Sequence, residues 1–448
     1  MRCHFQLWKI ATPCWKQPGT CLKRRGPAKK NKSPLFLLLF WATSLSILPA
    51  YGQSESSNDK DEFQGLDFDF FADTRIRYQS ISQDNLSNTA EALTFRVKTG
   101  INLELTDWLS ALVEVEGGDS LVDDFNDTIN GQFNVPIIPD PNQLELNRLQ
   151  LQSEFGANRI TLGRQDFALD NWRFLGNWQF RQNDQTFDAV RFETSLWGGR
   201  LNAGYIGAVR RHFGADSPVG EFTGDSYILN YAKPFSLGQL SLFHYALDLE
   251  TGPDAFPINT FSTVTTGARW HGRRHWGDYG IVWDVSAARQ SDFADNPNRF
   301  TAYYRDVSAG FKYKNIELDA GLEILGSDGN ASVQTPLGSL HDFQGVTDRF
   351  FTTPSDGLRD YNLGVNVNLG RAGPIEHIKL KAGFHQFTSD QSRRDFGQEV
   401  NLGLSGRVNN ITLLLEYGDY DSQALPTENG LFASDAKALV LSANYSFD

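Results

Sequence analysis

Between Leu93 and Leu105 the chain alternates strictly. Leu93, Phe95, Val97, Thr99, Ile101, Leu103 and Leu105 fall on one parity, and Thr94, Arg96, Lys98, Gly100, Asn102 and Glu104 on the other. A two-residue period sends successive side chains to opposite faces of an extended strand, so one face is oily and the other charged. The pattern returns in Ile316, Leu318, Ala320, Leu322 and Ile324 against Glu317, Asp319, Gly321 and Glu323. It returns again in Ile378, Leu380, Ala382 and Phe384 against Lys379, Lys381, Gly383 and His385, and in Tyr361, Leu363, Val365, Val367 and Leu369. A soluble sandwich shares this period, so strand number and length must decide. About 18 such segments of roughly 9 to 14 residues can be counted, the length with which a tilted strand crosses a bilayer.

Their connections alternate between short and long. Thr106-Asp107-Trp108, Gly156-Ala157-Asn158, Trp197-Gly198-Gly199, Leu237-Gly238-Gln239, Lys314-Asn315 and Asn409-Asn410 are short. Gly117 to Asn142, Asp166 to Gln185, Glu250 to Ser262 and Ser327 to Gly357 are long and rich in Asp, Asn, Pro and Gly. Short periplasmic turns and long extracellular loops are the habit of outer-membrane barrels. The expected fold is all-β: a single transmembrane antiparallel β-barrel of about 18 strands, spanning residues 66–448, in the outer membrane of a Gram-negative bacterium. Nothing after the N-terminus approaches the roughly 20 apolar residues of a membrane helix. The mean hydropathy of −0.40 alongside 13% aromatic residues agrees with strands that are greasy on one face only.

Residues 1–52 read as a signal peptide, with Lys23, Arg24, Arg25, Lys29, Lys30 and Lys32 preceding an apolar run from Leu35 to Leu48. Ala50, Tyr51 and Gly52 supply a small-x-small cleavage site. Residues 53–65, rich in Ser, Asp and Glu, read as a periplasmic linker. Cys3, Cys14 and Cys21 all lie in the leader, so the mature chain is expected to hold no thiol or disulfide. Removing the leader's nine cations takes the formal charge from −13 to −22, which argues against a nucleic-acid partner.

The first strand is expected at Phe71 to Ser80 and the last at Ala436 to Phe447, paired so that neither leaves an open edge in lipid. The last strand, with Leu439, Leu441, Ala443, Tyr445 and Phe447 on one face, resembles the signal used by the barrel assembly machinery, with Asp448 a departure. Trp108, Trp197, Trp270, Trp276, Trp283 and Tyr417 suit interfacial girdles, with core aromatics as the plainer alternative.

Charge facing lipid at mid-membrane costs about 2–4 kcal/mol, so the polar parity should line the lumen. Parity assigns Arg75, Arg77, Arg96, Lys98, Arg148, Arg191, Arg269, Lys312, Lys379, Lys381 and Arg407 to that face. It assigns Asp73, Glu104, Glu114, Glu116, Glu154, Glu193, Glu317, Asp319, Glu323, Glu399 and Glu416 there too. The inward cations of the first two and the fifteenth and sixteenth strands are expected to form one basic patch near the closure seam. A ring of Arg and Lys makes a pore anion-selective, and Arg suits carboxylates through its planar paired donors. The plainer reading is that these charges neutralise one another and hydrate the wall.

Segment 162–191 opens on Leu162-Gly163-Arg164-Gln165-Asp166-Phe167 and closes on Thr186-Phe187-Asp188-Ala189-Val190-Arg191. It resembles a region of the alginate export family of outer-membrane porins, as does Gln334 to Pro354 followed by Gly357-Leu358-Arg359-Asp360. The resemblance implies a monomeric barrel whose narrow, electropositive lumen passes an anionic uronic-acid polymer. On the matching positions it implies Arg164, Arg173, Arg181 and Arg191 as polymer or constriction contacts. Asp166, Asp170 and Asp188, with Glu193 on the same wall, would be their ion-pair partners. Arg164 shares parity with outward Ile160 and Leu162, so the strand must end or bulge near Gly163 for it to turn inward.

The Ser327 to Gly357 loop either folds into the pore as a gate or decorates the outside. His341, Asp342 and Ser339 sit too close in sequence to assemble a triad and lack a nucleophile elbow, so no enzymatic reaction is expected. Asp119, Asp123, Asp124 and Asp127 invite Ca²⁺ but lack the EF-hand spacing and glycine. The reading preferred for them is a solvated loop or an acid bridging lipopolysaccharide, and no cofactor is expected. The function expected is a channel for an anionic polysaccharide or uronate-like solute. The alternatives are a general or small-anion porin, and a structural or adhesion barrel with a plugged lumen.

Overall fold

The computed structural model describes residues 67–250, 257–425, 428 and 430–447. The expected signal peptide and linker lie outside these residues, as does Asp448. The chain forms β1 (Asp67–Gln83), β2 (Ala90–Thr106), β3 (Leu109–Asp124), β4 (Gln143–Phe155), β5 (Asn158–Gln165) and β6 (Thr186–Leu196). There follow β7 (Gly199–Arg210), β8 (Glu221–Phe235), β9 (Gly238–Leu247), β10 (Thr263–Trp276), β11 (Tyr279–Asp292) and β12 (Thr301–Tyr313). The last third comprises β13 (Ile316–Leu325), β14 (Leu358–Ala372), β15 (Ile375–Thr388), β16 (Asp395–Val408), β17 (Ile411–Ser422) and β18 (Ala436–Phe447).

Each strand pairs antiparallel with its neighbours in sequence, and β18 returns to pair with β1, from Ala72 opposite Phe447 to Gln83 opposite Ala436. The result is a closed 18-stranded barrel. Closure leaves no row of backbone N–H and C=O groups facing hydrocarbon, where an unpaired group costs several kcal/mol. The first strand reaches beyond Phe71 to Ser80 at both ends, and β3 continues to Asp124, into the stretch expected to be loop. One end of the barrel carries turns such as 107–108, 156–157, 197–198, 314–315 and 409–410. Four of these open in the left-handed region, at Gly156 (φ 62°), Trp197 (φ 49°), Lys314 (φ 53°) and Asn409 (φ 53°), the twist that two-residue hairpins need. The other end carries the long loops.

Outward positions are the apolar parity. Ile101, Leu149, Leu162, Leu318, Leu363 and Leu402 all present exposed side chains on the exterior, and Trp108, Trp197 and Trp276 stand exposed at the short-turn end. Such an exterior belongs in lipid, and the closed barrel is of the outer-membrane type.

The interior departs from simple alternation. Toward the long-loop end, inward positions are themselves apolar: Phe187, Phe222, Tyr245, Tyr304, Phe387 and Tyr420 are buried. They pack in one cluster with Phe167, Leu175, Leu337 and Phe350, which come from loops. An inward face needs polarity only where water fills the lumen, and here loops fill it. The principal hydrophobic core of the barrel thus sits inside the extracellular half of its own lumen.

Val97 lies on the outward face midway along β2. Val97→Arg is expected to destabilise the barrel by about 2–4 kcal/mol in a reversible urea titration in bilayers. A loss below about 1 kcal/mol, the cost near an interface, would show that this segment is not at mid-membrane.

Candidate functional site

The three longest loops among the described residues, 125–142, 166–185 and 326–357, enter the lumen. The 326–357 loop is therefore an internal element, not an external decoration. Its Leu337 carbonyl accepts from the Gly176 N–H at 2.9 Å, and the Trp172 carbonyl accepts from the Ser339 N–H at 3.0 Å, so it is sewn to the 166–185 loop by main chain. Ser339 Oγ accepts from Trp178 N (2.9 Å), and Gln185 Nε2 donates to the carbonyls of Gly176 (2.8 Å) and Leu337 (3.0 Å). Glu399 of β16 accepts from the amides of Val346 (2.6 Å) and Thr347 (3.0 Å) and from the Thr347 hydroxyl. Gly345 makes that approach possible. It has φ 86°, and a Cβ there would stand 2.4 Å from the Glu399 carboxylate.

Several of the expected lumen cations hold these loops in place. Arg75 donates Nη1 to the carbonyls of Gln179 (2.8 Å), Phe180 (3.1 Å) and Arg181 (3.2 Å). Arg77, almost wholly buried, pairs with Asp140 of the 125–142 loop. Burial alone would raise the Asp140 carboxyl, but Arg77 and Arg181 outweigh it and hold the group below its ordinary value. Arg96 pairs with Asp73 and Lys98 with Asp184, while Glu116 accepts from the Asp184 amide at 3.1 Å. Arg148 pairs with Glu114 at 2.5 Å. It points inward beside Asn147 because β4 bulges there, Glu114 facing Arg148 and Val115 facing Leu146. The expected single basic patch does not form. Arg77, Arg96 and Lys98 are matched by carboxylates, Arg75 is taken up by loop carbonyls, and β17 and β18 stand between β1 and the cations of β15 and β16.

Of the positions implied by the family resemblance, Arg173 and Arg181 are buried in the loop assembly. Arg173 pairs with Glu323 (2.8 Å) under the Phe343 ring, and Arg181 with Asp348 (2.9 Å) between Phe180 and Phe351. Arg191 is inward and pairs with Glu193 (3.1 Å), which also accepts from Arg200 (2.5 Å). Arg164 stays outside. Gly163 has φ 110°, yet β5 keeps register on both sides, Arg164 facing outward Leu149 and Asp188. Asp188 is its partner at 2.7 Å. Asp166 and Asp170 meet amides and a phenol instead of a guanidinium: Asn177 donates to Asp166 (3.1 Å), and Asn230 (2.7 Å) and Tyr245 (3.4 Å) donate to Asp170. Burial and the neighbouring Asp184 push Asp166 up to about 6.

Beneath the loops lies an open vestibule of about 930 Å³, walled by β10 to β15 and including Arg269, Arg273, Asp306, Glu317, Asp319 and His385. Lys379 and Lys381 are inward and exposed on this side, as is Arg407 on β16. None of the three has a carboxylate within ion-pair distance among the described residues. The loop acids Asp140 and Asp184, which hold Arg77 and Lys98, are not marked by the sequence pattern. They sit in loops, where no period marks a side, and only their place in long loops with aromatic neighbours hinted at burial.

His341 is held between Asp348 (2.9 Å from Nδ1) and Glu416 (3.5 Å from Nε2) and stacks on Phe180 with ring centroids 3.4 Å apart. Burial opposes its charge, but the two carboxylates prevail and raise its pKa to about 9. Among the described residues no three His, Cys, Asp or Glu side chains converge as a metal site. Asp127 uses its carboxylate to cap the amides of Ile129 (2.8 Å) and Asn130 (2.7 Å).

No protein-family model matches the chain, and neither does any curated protein. Solved structures do. OccK9 (OpdG) of Pseudomonas aeruginosa superposes with a TM-score of 0.64 at 16% identity, over 85% of this chain and 99% of that one. OpdL of the same organism gives 0.62 at 15%, over 85% and 99%. OpdK of that organism, determined with vanillate, gives 0.62 at 14%, over 85% and 98%. At such identities the likeness is one of fold, that of 18-stranded outer-membrane porins, and it does not single out the alginate export family.

Because His341 is raised above its unfolded value of about 6.5, its contribution to loop docking is complete below that pH and is lost as pH rises through about 9. Hydrogen-exchange protection of amides 340–349 should fall across that window in the wild type and stay level in His341→Asn. An identical fall in both proteins would remove His341 as the cause.

Proposed function

We propose that this chain is an outer-membrane diffusion channel for small polar solutes, small organic anions among them, and not a conduit for a uronate polymer. The observation that carries this reading is the division of the lumen. Its extracellular half is filled by three loops tied with buried ion pairs such as Arg181–Asp348 and Arg173–Glu323, while its periplasmic half is an open vestibule lined by charge of both signs. A passage left between packed loops suits small molecules, and a polymer would need a continuous guide. The arginines implied as polymer contacts are occupied by protein carboxylates or, for Arg164, lie outside. The binding of vanillate, an organic anion, by a barrel of the same fold supports small anions as cargo.

Planar-bilayer recording tests this. Small carboxylates should carry current, and uronic-acid oligomers should neither carry nor block it. Block by those oligomers would restore the polymer reading, and negligible conductance would favour a plugged structural barrel. Lys379 and Lys381 are inward, exposed and without an ion-pair partner among the described residues, so the double variant Lys379→Glu/Lys381→Glu should move the reversal potential toward cation preference. An unmoved reversal potential would take these lysines off the permeation wall.

A further inference from the structure

On the exterior, two charged patches at the extracellular rim differ. Across β5 to β8, Arg164 pairs with Asp188 (2.7 Å), Asp188 with Arg210 (3.5 Å), and Arg210 with Glu221. This patch is neutral within itself. Across β12 to β15 the balance is positive. Arg305 faces Ile324, and Ile324 faces Arg359, so two outward arginines flank one isoleucine on a single lateral row. Arg393, in the β15–β16 loop, joins them by donating to the Tyr361 hydroxyl at 3.3 Å. Ile324 is the penultimate residue of β13 and Arg359 the second of β14, which sets the row at the rim where strands give way to loops.

One carboxylate answers these three cations, Asp390 at 2.7 Å from Arg359. Arg305 has no ion-pair partner among the described residues and lies over the Tyr303 ring, 5.7 Å from its centroid. Arg359 Nε is buried without a hydrogen-bond acceptor. Arg305, Arg359, Arg393 and Tyr303 wall a recess of about 370 Å³ with Asp390 and Gln391. Charges on a lipid-facing surface persist where the lipid supplies the counter-charge, and guanidinium forks match phosphate oxygens in pairs. Arg305 and Arg359 stand two strand spacings apart, roughly 10 Å, a separation over which two arginine side chains can reach one phosphate.

We propose that this recess binds a phosphate of the outer-leaflet glycolipid, lipid A, with Arg305 and Arg359 as the phosphate ligands and Arg393 completing the site. Its position at headgroup height and its aromatic neighbours Tyr303 and Tyr361 select a membrane-anchored phosphate over one free in solution.

The full barrel, folded as judged by heat-modifiable migration, is incubated in detergent with diphosphoryl lipid A, dephosphorylated lipid A, phosphatidylglycerol or inorganic phosphate and examined by native mass spectrometry. Wild type should retain diphosphoryl lipid A, and Arg305→Gln/Arg359→Gln/Arg393→Gln should lose about tenfold or more of that retention. Arg305→Gln alone removes no ion pair and should show part of the loss if the triple variant fails to fold. Arg164→Gln, at the self-neutral patch, should retain the lipid. Equal retention by wild type and triple variant would overturn the proposal. So would equal retention of the dephosphorylated lipid, or of phosphatidylglycerol or inorganic phosphate at the same concentration.

Discussion

Hydrocarbon offers a peptide group nothing to bond with, and the architecture answers to that constraint before any other. The seam between β1 and β18 satisfies the backbone of both terminal strands, and it can do so only if each strand keeps its register around the whole ring. Register in turn decides which parity meets lipid, since a slip of one residue would exchange Val97 for Arg96 on the outer surface. Closure, outward grease and inward polarity are therefore one solution and not three features.

Inside the ring a second solvent problem is solved differently. Water in a wide lumen would favour polar inward residues throughout, yet Phe187, Tyr304, Phe387 and Tyr420 point inward. They are stable because loops carrying Phe167, Leu175 and Phe350 displace the water. Buried pairs such as Arg77–Asp140 and Arg173–Glu323 fix where those loops sit. Such pairs add little net stability over apolar contacts, but breaking one leaves a stranded charge, so they confer definition more than strength.

The barrel was legible in the sequence because its signal is periodic and repeated: the final strand, Ala436 to Phe447, and six of the short turns were readable from alternation and punctuation alone. The lumen was legible only by parity. Parity placed Arg96, Lys98, Arg148 and Lys379 on the inner face, but it could not say that the first three would be consumed by neighbouring carboxylates. Arg96 and Arg148 meet Asp73 and Glu114 through a pairing register that parity does not give, and Lys98 meets Asp184 in a loop whose course depends on contacts far apart in sequence. Arg164 shows the same limit from the other side. Its motif invited an inward role, whereas unbroken pairing with Leu149 and Asp188 kept it outside, and the actual bulge fell one strand earlier at Asn147 and Arg148.

The aromatic cluster shared by wall and loops makes the outer half of this protein an ordinary globular interior wrapped in a hoop. Swinging a loop out like a drawbridge would wet several large rings at once, each worth roughly 1.5–3 kcal/mol. Traffic through such a structure is better served by small rotations at the seams between packed segments. In the channel proposed above, the hoop would keep its contents while solutes filtered past them.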